Sequence, residues 1–237
     1  MEKSKVLGIL GGLGPMATAY FYELVTAHTL AEKDQDHIDM VISSKASTPD
    51  RTAFIRGASS EDPFVVMEAE AGRLVTFGAE VIAIPCNTAH YFYQRLNEVI
   101  SIPILNMVGD TVARAQQSGS QKVGILATDG TIFTETYQRV CRESNLACAV
   151  PDAEGQKQVM EVIYGDIKRG KEPNMQRFHA AAGQLFGSGC DTIILGCTEL
   201  SLLKKGGLLD ARFMDSMEVL AEAAILACGK TPTGFHW

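Results

Sequence analysis

The sequence predicts an α/β fold of two similar, pseudo-symmetric domains, each with a central, mostly parallel sheet flanked by helices. Strand-like runs that are apolar at every position alternate with helical segments along the chain, which is typical of parallel sheets covered on both faces. The chain also repeats itself: KVLGILGGLGP (5–15) aligns with KVGILATDGT (122–131), and VIAIPCNTA (81–89) aligns with TIILGCTEL (192–200). A chain of 237 residues is long enough for two such units.

Each expected strand is a short run of apolar residues, and each expected helix carries apolar residues at helical spacing. In chain order, we expect strands at 6–10, 38–43, 81–85, 102–106, 122–127 and 192–196. Helices are expected at about 17–31, 63–77, 89–99, 107–117, 131–144, 153–169, 173–187 and 216–228. We place the first domain at residues 1–106 and the second at 107–215, and we expect the C-terminal segment 216–237 to pack back on the first.

Composition argues against two classes of partner. The formal net charge is −7, and no run of basic residues is longer than Lys204–Lys205, whereas a nucleic-acid surface needs a basic stripe. The longest apolar runs are of strand length, too short to span a bilayer. The first five residues have no signal-peptide pattern. We therefore expect a cytoplasmic protein with no nucleic-acid or membrane partner.

Two of the six cysteines occupy equivalent positions in the repeat. Cys86 and Cys197 each follow a buried strand and precede a helical segment, at the carboxyl edge where α/β sheets bind ligands. If the halves face each other, both thiols meet in one cleft between the domains. A helix N-terminus favours thiolate, so we expect the pKa of both thiols to be lowered from about 8.5. No C-x-x-C pair is present, so we expect free thiols and no metal site.

Small polar residues accompany the two cysteines. We expect Asn87, Thr88, Thr198 and Thr128 to supply donors in the same layer, which suits the α-carboxylate of an amino acid. His90 follows Cys86 by four residues, so a Cys–His nucleophile pair is an alternative in which Cys197 has no role.

Other candidates come from loops and helix ends. GGLGPMA (11–17) contains a nominal dinucleotide fingerprint, but the second strand ends in Ser43-Ser44-Lys45 instead of the acidic residue that binds a ribose. We interpret the turn around Leu13 as an anion-binding nest or a plain tight turn. Arg51 either binds a carboxylate or is a surface residue that caps a helix or pairs with Asp50. Lys168 either reaches the cleft or is a solvated helix-end lysine.

Paired thiols suit one kind of chemistry. Inverting the configuration of an amino acid requires removal of the α-proton from one face and its return on the other, so it needs one deprotonated and one protonated group. Two thiols can fill both roles, and the symmetry of the fold then matches that of the reaction. No signature of pyridoxal phosphate is present, so we expect no cofactor.

Five motifs carry a resemblance to a known family. GILGGLGPMAT, DQDHI, TPDRT, PCNTAH and LGCTEL occur in this order and resemble those of the aspartate/glutamate racemase family, cofactor-independent enzymes with two cysteines. The resemblance spans residues 6–219 and implies a dimer with its active site in the interdomain cleft. By position, it implies that Cys86 and Cys197 are the acid/base residues. It further implies that the α-carboxylate and ammonium are lined by Leu13, Asn87, Thr88, Thr198 and Glu199, and that the side-chain carboxylate meets Arg51 and Lys168.

The chain departs from the glutamate racemases of cell-wall synthesis. Those enzymes carry D-S-G near the start and G-C-T-H near the end, where this chain has Gly11-Gly12-Leu13 and Glu199. It therefore resembles the aspartate-racemase branch, which implies aspartate, and also glutamate, as substrates. Two alternatives remain: an isomerase or decarboxylase of small dicarboxylates on the same fold, and a non-catalytic dicarboxylate-binding protein.

Overall fold

Two parallel sheets form the centre of the protein in the computed structural model, which describes residues 4–236. The first has the order β2-β1-β3, built from β1 (Leu7–Gly11), β2 (Met40–Ser44) and β3 (Val81–Ala83). The second has the order β5-β4-β6-β7, built from β4 (Lys122–Ala127), β5 (Ala147–Ala149), β6 (Thr192–Gly196) and β7 (Phe213–Asp215). Every strand pairing within the two sheets is parallel. The predicted α/β fold is confirmed.

Eleven α-helices connect and cover the strands in the part of the chain that is described. They are α1 (Pro15–Ala27), α2 (Arg51–Ile55), α3 (Pro63–Thr76), α4 (Tyr93–Val99), α5 (Met107–Gln117), α6 (Asp129–Phe133), α7 (Thr136–Glu143), α8 (Ala153–Met160), α9 (Met175–Gly187), α10 (Thr198–Lys205) and α11 (Ser216–Ala227). Within residues 4–236, none of these helices has the length and apolar character needed to cross a bilayer.

Both faces of the central strands β1, β4 and β6 are buried, which explains why their sequences are almost entirely apolar, whereas β2 and β5 are partly exposed. In β1, Leu7 and Ile9 pack with α1 and α11, whereas Leu10 packs with α3 and α4. In β4, Ile125 packs with α5 and α7, whereas Leu126 packs with α8 and α9. Helix α11 thus packs against α1, and it also contacts α5. The domain boundary at residue 106 stays a prediction.

Several elements differ from those expected. The segment 102–106 is not a strand: Pro103 has no N–H to donate, and only Ile104 bridges to Ile82. The helix expected at 131–144 is divided into α6 and α7 by Glu135, whose φ is 52°. The helix expected at 153–169 ends as an α-helix at Met160 and continues as a π-helical turn and a 3₁₀ turn to Arg169. Strands β5 and β7 and helix α2 were not predicted, whereas α10 is the helical segment expected after Cys197, for which no bounds were predicted.

Candidate active site

One small cavity lies where the carboxyl ends of the two sheets approach each other. The space between its lining atoms is about 260 Å³, part of it open to solvent. All ten site residues predicted from the sequence line it, together with three that were not predicted. The thirteen are Leu13, Asp50, Arg51, Thr52, Cys86, Asn87, Thr88, Thr128, Tyr164, Lys168, Cys197, Thr198 and Glu199.

The two cysteines enter this cavity from equivalent ends of the two sheets. Cys86 lies three residues after β3 and precedes a 3₁₀ turn at Thr88–Phe92. Cys197 directly follows β6 and is the N-cap of α10, with an extended backbone. Their exposed fractions are 6% and 4%, and both are free thiols. Because both thiols are almost fully buried, their reactivity depends on the groups that share the cavity.

The Cys–His alternative is wrong in this structure. Both ring nitrogens of His90 are occupied by the backbone: Nδ1 lies 2.9 Å from the Cys86 carbonyl oxygen, and Nε2 accepts from the Met107 amide at 3.2 Å. This pattern requires a neutral ring with its proton on Nδ1. Burial lowers the pKa of His90 further. His90 therefore connects the Cys86 turn to α5 and makes no hydrogen bond to a thiol.

Cys197 is part of a three-residue charge cluster. Its thiol donates to Glu199 Oε2 at 3.0 Å, and Glu199 Oε1 lies 3.0 Å from the Lys168 ammonium. Burial and the Glu199 carboxylate raise the pKa of Cys197 well above its usual value, although Lys168 acts in the opposite direction. The expectation of a lowered pKa is therefore wrong for Cys197, because burial and a neighbouring carboxylate outweigh the helix N-terminus.

Lys168 lines the cavity, although the residue is partly exposed and 25% of its side chain is accessible to solvent. Burial alone lowers its pKa, but Glu199, Cys197 and Tyr164 together raise it above the ordinary lysine value. Its ammonium also lies 4.9 Å from the centre of the Tyr164 ring. Lys168 therefore stays charged, and its charge is balanced by Glu199.

Arg51 has a different environment, since its charge has no carboxylate partner among the described residues. Its guanidinium donates to three backbone carbonyls, those of Thr48, Pro49 and Leu13, at 2.8–3.2 Å. Its Nε–H has no hydrogen-bond partner within the part described, and the residue is 8% exposed. The alternative of a surface arginine paired with Asp50 is thus wrong. A buried cation with unused donors is suited to binding an anion.

The remaining polar residues form a hydrogen-bonded layer. The hydroxyls of Thr88, Thr128 and Thr131 lie within 2.9–3.1 Å of one another, and Asn87 is held by side chains of the second half of the chain. Thr198 is buried at the start of α10. Across this layer, hydroxyl and amide groups from both halves meet in one site, where a bound carboxylate would replace one of the contacts among the three threonine hydroxyls.

The glycine-rich turn before α1 has a steric explanation. Gly12 has a φ of +80°, and a Cβ atom there would lie 2.3 Å from the Lys45 amide nitrogen. The turn therefore packs directly on the end of β2 and brings the Leu13 carbonyl to Arg51.

Comparison with known proteins places the chain in a family. A model of the Asp/Glu/hydantoin racemase family matches residues 10–224. The chain belongs to this racemase family. The family assignment makes it an isomerase, as the sequence predicted.

Three relatives illustrate the similarity of this racemase to known proteins. A broad-specificity amino-acid racemase of Bacillus subtilis is 28% identical over 93% of this chain and 96% of that protein. The structure of an aspartate racemase of Picrophilus torridus has a TM-score of 0.82 and 29% identity, covering 97% of this chain and 96% of that one. A glutamate racemase of Aquifex pyrophilus is 32% identical over 70% of this chain, which spans 65% of that protein.

Two residues that line the racemase cavity connect the halves of the chain. The Tyr164 hydroxyl donates to Asp50 Oδ2 at 3.1 Å, while Asp50 Oδ1 caps α2 through the Ala53 amide. Sequence reasoning missed both residues. A signal was available for Tyr164, because it precedes Lys168 by four positions and such residues share one face of a helix. Asp50 precedes Arg51 in a position typical of an N-cap.

Proposed function

We propose that this protein is a cofactor-independent racemase that interconverts L- and D-aspartate, with glutamate as a second substrate, by proton transfer between Cys86 and Cys197. The observation that supports it best is one buried cavity that contains two thiols from equivalent strand ends together with a cation, Arg51, that has no carboxylate partner in the described structure. The similarity to an aspartate racemase over nearly the whole chain supports the choice of substrate.

The proposed reaction assigns one protonation state to each cysteine. Racemisation by proton exchange needs a thiolate on one face of the α-carbon and a thiol on the other. Since the Cys197 thiol donates to Glu199 and its pKa is raised, we assign Cys197 as the proton donor of the resting enzyme and Cys86 as the group that accepts the α-proton. In this state Cys86 takes the α-proton of one enantiomer while Cys197 gives its proton to the opposite face, and the reverse reaction starts with the proton on Cys86 and with Cys197 deprotonated.

The other cavity residues bind and stabilise the reacting amino acid. Asn87, Thr88, Thr128 and Thr198 supply donors for the α-carboxylate, which carries part of the charge of the carbanion. A bound substrate would displace water from this cavity, whose polar lining residues are mostly buried, so each of these hydrogen bonds would act in a low-dielectric site. Leu13 and Glu199 lie beside the ammonium.

One of the two cations of the cavity distinguishes an acidic amino acid from a neutral one. Arg51 keeps its Nε–H and one Nη2–H unused, and these donors suit the side-chain carboxylate. Lys168 faces the same cavity through its ion pair with Glu199. Because Glu199 already balances the charge of Lys168, the preference for a dicarboxylic substrate over one with an uncharged side chain rests on Arg51, which has no carboxylate partner among the described residues.

The test is proton exchange in D₂O without added cofactor. We expect the α-proton signal of L-aspartate to disappear from the NMR spectrum while chiral chromatography detects D-aspartate, and the same for glutamate at its own rate. Cys86→Ser and Cys197→Ser should each lower racemisation by about 10² or more, since a serine is a far weaker acid and base at neutral pH.

The matched control is Cys148→Ser, which changes a half-buried cysteine outside the cavity and should keep wild-type activity. Full racemisation by either single active-site variant would refute the two-cysteine mechanism. Tight binding of aspartate without exchange would instead indicate a dicarboxylate-binding protein, and turnover of a dicarboxylate without α-proton exchange would indicate a different isomerase or a decarboxylase. The homodimer and the cytoplasmic location also stay predictions, the first testable by sedimentation.

A further inference from the structure

A fully buried tyrosine contacts the neighbours of both active-site cysteines. Tyr137 is the second residue of α7 and has no exposed surface. Its hydroxyl donates to Asn87 Oδ1 at 2.5 Å, and Asn87 directly follows Cys86. Its ring lies against Gly196, which directly precedes Cys197: a Cβ atom at position 196 would be 3.2 Å from ring atom Cε2 of Tyr137. One side chain therefore touches both cysteine-bearing turns.

The hydrogen bonds around Asn87 determine how its amide is oriented. The Ser216 hydroxyl donates its proton to the Leu195 carbonyl at 2.7 Å, so toward Asn87 it acts as an acceptor. Asn87 Nδ2 lies 3.0 Å from that hydroxyl and donates to it. Tyr137 then supplies the donor for Asn87 Oδ1. With both ends of the amide engaged, one N–H of Asn87 remains for a ligand in the cavity that Asn87 lines.

We propose that Tyr137 is a positioning residue of the racemase. It does not line the cavity, so it acts through Asn87 and Gly196: its hydroxyl keeps the free N–H of Asn87 available to the substrate α-carboxylate, and its ring sets the distance between the Cys86 and Cys197 turns. This inference rests on the proposed function for its kinetic consequence, but the positional consequence for the two thiols does not depend on which reaction they perform.

The decisive variant is Tyr137→Phe, which removes the hydroxyl and keeps the ring. It leaves Asn87 Oδ1 buried without a donor, so the amide rotates and its N–H is no longer held toward the substrate. We expect kcat/KM for L-aspartate to fall about tenfold, mainly through a higher KM, the order of loss expected when one buried acceptor is left unpaired. In an Asn87→Ala background the same substitution should have no further effect, because the residue through which Tyr137 acts is gone.

The matched control is Thr29→Val, which also removes a buried hydroxyl that donates to a carbonyl, in this case that of Val25, far from the cavity. It should lower stability without changing KM. A second readout needs no turnover: the rates at which iodoacetamide alkylates Cys86 and Cys197, followed by mass spectrometry. The Cys86 rate should rise severalfold in Tyr137→Phe and stay unchanged in Thr29→Val, because the turn that carries Cys86 and Asn87 loses a hydrogen bond. The Cys197 rate should change less in Tyr137→Phe, because the ring beside Gly196 is retained.

Three results separate the possibilities. If Tyr137→Phe lowers only the melting temperature, with wild-type KM and alkylation rates, Tyr137 is structural and the inference is wrong. If its kinetic effect persists in the Asn87→Ala background, it does not act through Asn87, and the inference is wrong as well. If the wild-type protein racemises no amino acid, the proposed function fails, while the alkylation rates still decide whether Tyr137 positions the thiols. Should Tyr137→Phe not fold, Ser216→Ala removes the other partner of Asn87, and the same measurements decide.

Discussion

Replacing Glu199 by glutamine should make Cys197 more acidic. Glu199 accepts from the Cys197 thiol and pairs with Lys168, so its negative charge disfavours the thiolate. In Glu199→Gln that charge is absent, and the Lys168 ammonium no longer has its carboxylate partner. Both changes favour the thiolate, so the pKa of Cys197 should fall. A larger fraction of Cys197 is therefore deprotonated in Glu199→Gln than in the wild type at any given pH below the wild-type pKa.

The size of the effect can be worked out from the distance. Two unit charges separated by the 3.0 Å between Cys197 Sγ and Glu199 Oε2 repel by about 1.4 kcal/mol at the dielectric constant of water and by about 5.5 kcal/mol at an effective value of 20. The smaller figure is a lower limit, because Glu199 is only 7% exposed. The thiolate-to-thiol ratio of Cys197 at a fixed pH should therefore rise at least about tenfold.

Alkylation by iodoacetamide across a pH series measures this ratio at each cysteine separately. The midpoint of the Cys197 curve should move to lower pH in Glu199→Gln. Glu218→Gln is the matched control, since it removes the same charge from a carboxylate that pairs with Lys204 outside the cavity. A Cys197 midpoint that is unchanged, or that moves to higher pH, would refute the view that Glu199 holds this cysteine in its protonated form.

Two further predictions concern stability. Burial lowers the pKa of His90, so below pH 6.5 the His90 ring is protonated in the unfolded chain while it remains neutral in the native state. The unfolding free energy should then fall by up to about 1.4 kcal/mol for each unit by which the pH is lowered. His90→Gln should reduce this slope in chemical denaturation, whereas the exposed His179→Gln should not. For Asp215, burial raises the pKa to about 6, so its contribution is present below pH 4 and is lost as the pH rises through 6. Relative to wild type, Asp215→Asn should gain about 1–3 kcal/mol of stability between pH 4 and pH 8, whereas the exposed Asp34→Asn should not.

The central strands and the two thiols could be predicted because one physical rule covers both. A strand buried on two faces must be apolar throughout, so β4 and β6 have the predicted bounds, 122–127 and 192–196. Side chains that follow parallel strands meet at one edge of a sheet, which is why Cys86 and Cys197 line the same cavity. In contrast, β5 and β7 have three residues each, too few for a periodic signal to distinguish them from a loop.

The electrostatics of the site could not be predicted in the same way. The position of Cys197 at a helix N-terminus is visible in the sequence, and an effect of roughly 0.3–1 kcal/mol follows from it. The carboxylate of Glu199 lies 3.0 Å away only because α10 starts at Thr198 and folds that side chain back toward the thiol. Likewise, the bond between Tyr164 and Asp50 joins residues 114 positions apart. The contact between Tyr164 and Asp50 depends on the packing of the halves, which no local pattern encodes.

The two cations of the cavity differ in how freely evolution can alter them. The guanidinium of Arg51 binds three carbonyls of two separate loops and also offers donors to the cavity. Any replacement therefore removes the hydrogen bonds that hold these loops as well as the positive charge. Lys168 projects from an irregular helical turn and meets Glu199 and Tyr164 through its ammonium alone. A lineage that acquires a new substrate would therefore be expected to vary at position 168 and its neighbours while it retains Arg51 as an inherited constraint.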